Sequence, residues 1–399
     1  MMTNETPQSF WWTGVTGPKT VVDEVVGALR DHRNVTLSVP YDLPWRHPMR
    51  AAVEEELKSK SGTIGNRLAI ETIDGENIPK DAEPGRWILD NVADEDIGSN
   101  YREGRGETID AYIGRTGALA GKILWLKGLD RKQTTAWLDF SRRYQPGESQ
   151  FGLVVIESRY VDDAEGMPTI VRYGDRVSSY DVQSFARYLL DFVCEDTRYS
   201  PPWKTYIASL LAHVCDTDSE LCEWIAQDAD FKADGILPSL HRASVSHDFC
   251  LRGGEPESQH VLSKYRSGEM NDVSHRVWVA QVESLFPLIE IERLEIIDRI
   301  RPSLQEALDS LTVEQYKDDH KERVRNPNEV ELGTLVFLMA KSRGYLGTWL
   351  KVDGALRSRI IGLSKCRNNI AHLEVCSPAQ VRFLLDRADW PEDFPSYGN

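Results

Sequence analysis

Several features that mark common protein classes are missing or scarce in this sequence of 399 residues. Its six cysteines include no Cys-x-x-Cys pair, which argues against a zinc ribbon and against a disulfide framework. Its apolar runs fall far short of the roughly 20 residues that span a bilayer. Lys and Arg number 47 against 63 Asp and Glu, so the net charge is −16. That charge excludes a general nucleic-acid coat and a basic membrane-surface protein, because both depend on positive fields.

The first residues also lack a targeting signal. Met1 to Phe10 has neither the basic segment nor the apolar segment of a secretory signal peptide. We therefore expect a cytoplasmic protein with reduced, buried thiols and no membrane partner. The sequence does have the composition of a folded protein, with 41% apolar and 28% charged residues, and a length that allows two domains.

The first half of the sequence alternates β-branched runs with helical periodicity. Strands are predicted at residues 34–40, 67–74, 122–127, 151–157 and 169–173, and helices at 18–31, 47–58, 131–144 and 181–191. Strands that alternate with helices predict a mostly parallel sheet with helices on both faces. We place this α/β domain at residues 1–198, just before Pro201-Pro202, which cannot continue a helix.

The order of these elements, over roughly residues 15–195, resembles the core of P-loop NTPases of the AAA+ and STAND kind. The resemblance implies a phosphate loop after the first strand, with glycines whose amides wrap phosphates and a lysine that reaches them. Here Pro40-Tyr-Asp-Leu-Pro-Trp-Arg46 has neither Gly nor Lys, and its prolines remove amide donors. A later strand ends in Lys127-Gly128, where the resemblance calls for an acid. We expect a degenerate nucleotide-binding layout with no cofactor and no ATPase activity.

One short segment looks like a damaged phosphate loop. Gly14-Val-Thr-Gly17-Pro-Lys19-Thr20 opens a predicted helix, but no convincing strand precedes it. Pro18 also takes the place of the last glycine of the pattern. We favour a loop followed by a helix start, and Lys19 and Thr20 are only disfavoured candidates for nucleotide binding.

From residue 203 onward, strand signals vanish and helical periodicity takes over. Helices are predicted at residues 203–214, 220–227, 273–301, 328–340, 354–370 and 379–387. Ser377 and Pro378 suit the cap and first position of the last helix. Pro287 should kink the long helix, and residues 233–262 lack a regular pattern. The sequence therefore predicts an all-α domain over residues 203–395, with apolar stripes that face inward.

The one plausible chemical site in the sequence is Cys366-Arg-Asn-Asn-Ile-Ala-His372. Arg367 supplies a fixed cation, Asn368 a neutral hydrogen-bonding group, and His372 a base of the residue type that changes protonation near neutral pH. Together they can cleave RNA without a metal. The histidine takes the proton of a ribose 2′-OH, the oxygen attacks the adjacent phosphate, and the arginine neutralises the developing charge. No metal site is predicted in the sequence.

This segment resembles the R-N-x-x-A-H form of the R-x4-H motif in the HEPN superfamily. The resemblance covers about residues 273–390 and implies a small α-bundle that pairs, so that two motifs form one RNase site. It implies that Arg367 binds phosphate, Asn368 positions it and His372 is the base. A bare R-x4-H also occurs at Arg242–His247. The HEPN-like interpretation of Arg367–His372 therefore depends on Asn368, on Ala371 and on the helix predicted for this segment.

Two interpretations of the motif and its surroundings remain open. Residues five apart on a helix point about 140° apart, so Arg367 and His372 meet only if the helix frays or if two copies pair. Alternatively, both side chains bind carbonyls or a carboxylate at an ordinary helix end. The cations that precede the motif also have two interpretations. They could form a basic stripe that attracts RNA phosphate, or their positive charge could complement the dipole at the carboxyl end of the helix. These cations are Arg357, Arg359 and Lys365.

Two functions of different classes follow. The first is a metal-independent HEPN-type ribonuclease, a toxin or anti-phage effector, regulated by an ATPase-like N-terminal domain. The second is a non-enzymatic ATPase-like scaffold or regulatory subunit of a prokaryotic defence complex. Either function implies a homodimer or other protein partners. Any RNA would bind at one small basic site, because the protein as a whole is acidic.

Overall fold

The computed structural model describes residues 6–65, 69–103, 106–146, 152–161, 169–194, 197–250, 252–253, 258–311, 313–317, 320–340 and 349–387. The first residues of the strands predicted at 67–74 and 151–157 lie outside the described residues, as does the HEPN-like segment beyond residue 387.

The chain divides into two compact units. The first comprises Met1–Asp181 with Thr217–Glu220, and the second comprises Val182–Asp216 with Leu221–Asn399. The first unit contains a parallel sheet with helices, and the second is mainly helical. The division falls inside the helix Ser179–Tyr188, whereas the sequence placed it before Pro201-Pro202.

The first unit contains a five-stranded parallel sheet. Its strands are β1 (Val35–Ser38), β2 (Ala69–Asp74), β3 (Lys122–Lys127), β4 (Gly152–Ser158) and β5 (Thr169–Arg172). The strand order is β2-β3-β4-β1-β5, and all four neighbouring pairs are parallel. Each observed strand overlaps a predicted one, so the parallel sheet expected from the sequence is confirmed.

In the described residues, α-helices precede, connect and follow these strands. They are α1 (Pro7–Gly14), α2 (Thr16–Arg30), α3 (Arg46–Gly65), α4 (Pro84–Asn91), α5 (Glu95–Asn100), α6 (Ile109–Thr116), α7 (Arg131–Arg143), α8 (Tyr173–Arg176) and α9 (Ser179–Tyr188). The sequence predicted α2, α3, α7 and α9. Helices α1, α4, α5, α6 and α8 were not predicted, because four to eight residues complete too few turns to show a helical period.

Apolar side chains cover both faces of the central strand. Leu153, Val154, Val155 and Ile156 of β4 are all fully buried, although successive side chains point to opposite faces. One face packs against an aromatic cluster on α7 that includes Trp137. The valines of α2 are buried as well, and α2 contacts β1 and β5. Burial on both faces explains why the strand sequence is apolar throughout rather than alternating.

The α-helices that follow along the described part of the chain lie mainly in the second unit. They are α10 (Pro201–Cys215), α11 (Ser219–Asp228), α12 (Leu237–Val245), α13 (Val261–Arg266), α14 (Met270–Ser284), α15 (Phe286–Ser310), α16 (Leu332–Met339), α17 (Gly354–Ala371) and α18 (Pro378–Leu385). The last helix begins as predicted, because Ser377 caps it and forms a reciprocal capping box with Gln380.

Three expectations for this half were wrong. The unit is not all-α, since β6 (Glu314–Lys317) and β7 (His320–Arg323) form an antiparallel hairpin, whose polar sequence has no apolar alternation. Residues 233–262 are not irregular throughout, because they contain α12, whose buried face includes small residues such as Ser239 and Ala243. Pro287 does not kink one long helix. It lies in the first turn of α15, where its missing amide leaves no hydrogen bond unmade.

Two further findings concern membrane-spanning helices and the cysteines. Among the described residues, no helix combines the length and apolarity needed to cross a bilayer. None of the six cysteines forms a disulfide in the described part of the chain, and Cys250 is exposed and Cys194 partly exposed. The expectation of buried thiols is therefore confirmed only for the other four.

Candidate functional site

The predicted R-N-x-x-A-H motif occupies the last turns of α17. The helix begins at the side chain of Asp353, which accepts a hydrogen bond from the Leu356 amide at 2.7 Å. It continues to Ala371, and His372 forms its C-cap. Leu373 follows with φ at +64°, in the left-handed region. The helix therefore does not fray before the histidine, which was one of the two conditions for Arg367 and His372 to meet.

The three catalytic candidates are accessible. Asn368 and His372 are exposed, and Arg367 is partly exposed. None of these side chains forms a hydrogen bond or an ion pair with another residue in the described part of the chain. Because the helix is intact between them, Arg367 and His372 point about 140° apart around its axis. One copy of the chain does not bring them together.

The three cations proposed to bind substrate have different surroundings. Arg359 donates to both carboxylate oxygens of Glu292 at 2.6 and 2.7 Å and to the Phe383 carbonyl at 2.6 Å. Its guanidinium also lies 4.0 Å from the centroid of the Phe383 ring. Arg359 thus joins α15 to α18. Arg357 is exposed, and Lys365 is partly exposed.

The second R-x4-H copy is in a different environment. Arg242 donates to one oxygen of Asp228 at 2.9 and 2.6 Å, to its other oxygen at 3.2 Å, and to the Ser239 hydroxyl. His247 is exposed, but it lies beyond the end of α12. The bidentate ion pair holds this arginine, so the second copy differs from the first in the availability of its cation.

Helix α14 brings further groups to the end of α17 that the sequence did not indicate. The Trp278 indole donates to the Ile370 carbonyl at 2.7 Å. The exposed His275 ring stacks on Trp278, with 5.4 Å between ring centroids. Gln281 exchanges two hydrogen bonds with the Cys376 backbone, at 2.7 and 2.9 Å. The sequence predicted only a helix over this segment, since periodicity does not reveal where the indole N–H of Trp278 points.

A buried pair of thiols lies beneath the motif. The Cys376 thiol donates to the Cys366 carbonyl, with 3.8 Å between sulfur and oxygen. A hydrogen bond with the Cys376 side chain, together with burial, raises the pKa of the Cys366 thiol far above its ordinary value. A thiol that stays protonated is a poor nucleophile, so Cys366 has no role in covalent chemistry here.

The disfavoured nucleotide-binding residues are held by internal contacts. The Lys19 ammonium pairs with Asp23 at 2.6 Å, and the Thr20 hydroxyl donates to the Thr16 carbonyl at 2.8 Å. The Gly17 amide, which a phosphate would need, donates to the Asp181 carboxylate at 2.8 Å. A Cβ on Gly17 would lie only 2.5 Å from the Arg176 carbonyl, so the glycine serves close packing. Helix α1 precedes this segment rather than a strand.

The carboxyl edge of the sheet holds a buried charge that the sequence analysis missed. The Glu157 side chain, near the end of β4, is fully buried. Its carboxylate accepts from Arg46 at 2.5 Å, from Arg50 at 3.3 Å and from the Trp125 indole at 2.8 Å. Both arginines come from the start of α3, directly after the loop that follows β1. The chain's own ion pairs therefore occupy the buried part of the edge where an open α/β sheet ordinarily binds a ligand.

A second ion pair extends this network along the edge. Asp74 and Lys127 end β2 and β3, are directly paired in register, and form a short hydrogen-bonded ion pair. The Lys127 ammonium holds the pKa of the Asp74 carboxyl below its ordinary value, and the nearby Arg50 charge adds to the effect. One sequence signal pointed to the edge: Glu157 is the only charged residue in the predicted strand at 151–157.

No protein-family model matches this sequence, and a comparison with curated proteins finds no match either. The function must be inferred from the chain's own residues.

Proposed function

We propose that this protein is a metal-independent endoribonuclease whose site is formed by the ends of α17 from two copies of the chain. The observation that carries the proposal is the pair Arg367 and His372. Both side chains are accessible and make no hydrogen bond or ion pair among the described residues. An ordinary helix end would use these groups to bind carbonyls or carboxylates, as Arg359 does in the same helix.

His372 is the base in this proposal. It takes the proton of a ribose 2′-OH, and the 2′-oxygen forms a bond to the adjacent phosphorus. The bond from phosphorus to the 5′-oxygen breaks, the leaving oxygen takes a proton from solvent, and a 2′,3′-cyclic phosphate remains. Arg367 stabilises the charge that develops on the phosphoryl oxygens, and Asn368 orients the phosphate by hydrogen bonding.

Two copies are needed because the helix separates the two groups. At about 140° around one helix axis, Arg367 and His372 cannot both reach one phosphate. A two-fold pairing of helix ends brings Arg367 of one copy beside His372 of the other and forms two equivalent sites. Arg357 is the candidate for binding the flanking phosphates, whereas Arg359 is occupied by Glu292.

We further propose that the first unit regulates the enzyme without hydrolysing nucleotide. The loop after β1 has no glycine and no lysine, and Arg46 and Arg50 are paired with Glu157. The degenerate P-loop layout of the sequence fits this role. A toxin or anti-phage effector is the biological setting that the motif suggests.

The experiment is RNA cleavage in EDTA by the full-length protein and by variants. Arg367→Ala and His372→Ala should each lower cleavage at least 100-fold, the scale of general acid–base catalysis at about 10²–10⁴. His247→Ala, from the second R-x4-H copy, is the matched control and should leave cleavage unchanged. Arrest of cell growth on expression should follow the same order. Wild-type protein that neither cleaves RNA nor arrests growth, or cleavage that survives both changes, contradicts the proposal.

A second function is supported by a separate observation. The ion pairs of Glu157 tie the start of α3 to the end of β4, and such internal cross-links suit a non-enzymatic scaffold in a defence complex. In that case α17 would contact a protein partner rather than RNA. The same cleavage assay separates the two functions.

A further inference from the structure

A row of alternating aromatic rings and guanidinium groups lies at the carboxyl edge of the sheet. The Arg159 guanidinium carbon is 5.0 Å from the centroid of the Tyr41 ring and 4.7 Å from that of Tyr160. The Arg131 guanidinium carbon is 5.3 Å from the Tyr160 centroid. The contacts thus run in the order Tyr41, Arg159, Tyr160, Arg131. These four residues are called the cation–aromatic row below.

Three separate connections supply the row. Tyr41 lies in the loop after β1, Arg131 begins α7 shortly after β3, and Arg159 and Tyr160 directly follow β4. Because the strands are parallel, their carboxyl ends meet at one edge of the sheet. Ligands of open α/β sheets bind outside this edge, near the point where the strand order reverses. The row is therefore at the edge where the topology favours a ligand.

Consecutive residues at the end of β4 anchor both halves of the row. Glu157 holds Arg46, whose other terminal nitrogen donates to the Tyr41 carbonyl at 2.8 Å. The Ser158 hydroxyl accepts from the Tyr160 amide at 3.1 Å and lies 2.9 Å from the Thr134 hydroxyl. Thr134 lies on α7, three residues after Arg131 of the row.

These anchors are themselves buried. Glu157 is 1% exposed, Ser158 5% and Thr134 fully buried. Buried hydrogen bonds fix the backbone of the loops, so the side chains of the row start from an ordered arrangement. Ordering a site before its ligand arrives lowers the entropy that binding must offset.

The row itself faces solvent. Tyr41 is 42% exposed, Arg131 and Arg159 are exposed, and Tyr160 is partly exposed. The ring of Tyr41 meets Arg159 at one end of the row, and Arg131 lies at the other end. A large exposed aromatic ring held in place by a cation is a surface on which a planar group can stack.

We propose that the cation–aromatic row binds single-stranded nucleic acid. An unpaired base stacks on the exposed ring of Tyr41, which Arg159 holds in place, and the guanidinium group of Arg131 contacts a backbone phosphate. Aromatic stacking accepts any base, because every base has a π-face, and arginine provides fork-shaped donors for phosphate. A duplex hides the faces of its bases, so single strands are preferred. The acidic charge of the whole chain confines binding to this small surface.

The test is binding of a short fluorescent 2′-O-methyl RNA strand to the full-length protein, measured by anisotropy. This probe has no 2′-OH, so binding is independent of the proposed ribonuclease activity. Tyr41→Ala and Arg131→Ala should each weaken binding about tenfold, which corresponds to about 1.4 kcal/mol. Tyr180→Ala removes a tyrosine that is 71% exposed in the first unit and is the matched control. Arg143→Ala, at the far end of α7, is the control for charge.

Further arms decide between ligands. A single DNA strand should bind with the same affinity as the RNA strand, and a duplex should bind more weakly. ATP should displace the RNA strand only poorly, because one nucleotide makes fewer contacts with the row than a strand does. Wild-type protein that does not bind single strands overturns the proposal. So does binding that the row variants leave unchanged, binding lost only in Arg367→Ala, a preference for duplex, or full competition by ATP. Weakening in Tyr41→Ala and Arg131→Ala but in neither control supports it.

Discussion

Arg46 and Glu157 join the loop after β1 to the end of β4. The guanidinium donates to the fully buried carboxylate at 2.5 Å, and its other terminal nitrogen donates to the Tyr41 carbonyl at 2.8 Å. In the register of the sheet, Glu157 lies opposite Leu37 of β1. A single carboxylate therefore fixes two neighbouring connections at the edge where the sheet would otherwise be open.

Removing the charge of Glu157 should destabilise the first unit. Glu157→Gln keeps the shape of the side chain but leaves Arg46 and Arg50 without their anion. Breaking a buried ion pair costs about 3–5 kcal/mol, and we expect about 3 kcal/mol because Arg46 is one-third exposed and can be hydrated.

Urea unfolding measures this change. Glu54→Gln is the control, since Glu54 forms an exposed pair with Lys58 that is worth less than about 1 kcal/mol. Equal effects of the two substitutions would show that the Glu157 network does not stabilise the sheet.

Arg359 should matter for stability rather than for RNA binding. Arg359→Ala removes a bidentate ion pair, a carbonyl hydrogen bond and a stacking contact with Phe383, so we expect a loss of about 2–4 kcal/mol. Arg359→Lys should not restore stability, because an ammonium cannot make the fork-shaped contact.

Arg357 lies two residues away and is exposed, which makes Arg357→Ala the matched control. Its unfolding free energy should stay within about 0.5 kcal/mol of the wild type. If Arg359→Ala proved as stable as Arg357→Ala, the structural role of Arg359 would be wrong.

The full-length protein should not bind ATP with micromolar affinity. The Gly17 amide donates to Asp181, and Lys19 is paired with Asp23. At the edge of the sheet, Arg46 and Arg50 are paired with Glu157. Titration calorimetry with ATP and Mg²⁺ tests this expectation. Micromolar binding that Lys19→Ala abolishes would contradict it and would assign the site to the start of α2.

Stability should depend on pH through Asp74. Its folded pKa lies below the ordinary 3.8, because the Lys127 ammonium favours the charged form. A lowered carboxyl pKa stabilises the fold above the unfolded pKa, and this contribution is lost as the pH falls through the folded pKa. Asp74→Asn should therefore be less stable than the wild type at neutral pH, with a difference that shrinks below 3.8.

Chemical denaturation across this pH range gives the measurement. Lys127→Ala removes the same ion pair and should show the same pH dependence. A difference between Asp74→Asn and wild type that stays constant with pH would exclude the ion pair as its cause.

The sheet was predictable because short runs of apolar and β-branched residues mark its strands. β4 combines four fully buried aliphatic residues in a row, a pattern that burial on both faces requires. The hairpin of β6 and β7 was not predictable, since its residues are polar and nothing in their order favours strand over loop. Helix α12 was missed because small side chains form part of its buried face.

The candidate site was only partly predictable. The motif gave Arg367, Asn368 and His372, and its position at the end of a helix is confirmed. The partner of Arg359 was not visible, because Glu292 is far away in sequence and no local pattern encodes their contact. The same reason hid the contacts of Arg46, which depend on how parallel strands align.

The central claim is that two copies of the chain share each ribonuclease site. It is tested most directly by mixing Arg367→Ala protein with His372→Ala protein under conditions that exchange subunits, with tags that verify mixed assemblies. A mixed dimer has one complete site, formed by the intact Arg367 of one copy and the intact His372 of the other. Two inactive proteins should regain about one quarter of wild-type cleavage, since half of the dimers are mixed and each has one complete site of two. Mixed dimers that stay inactive would contradict the claim.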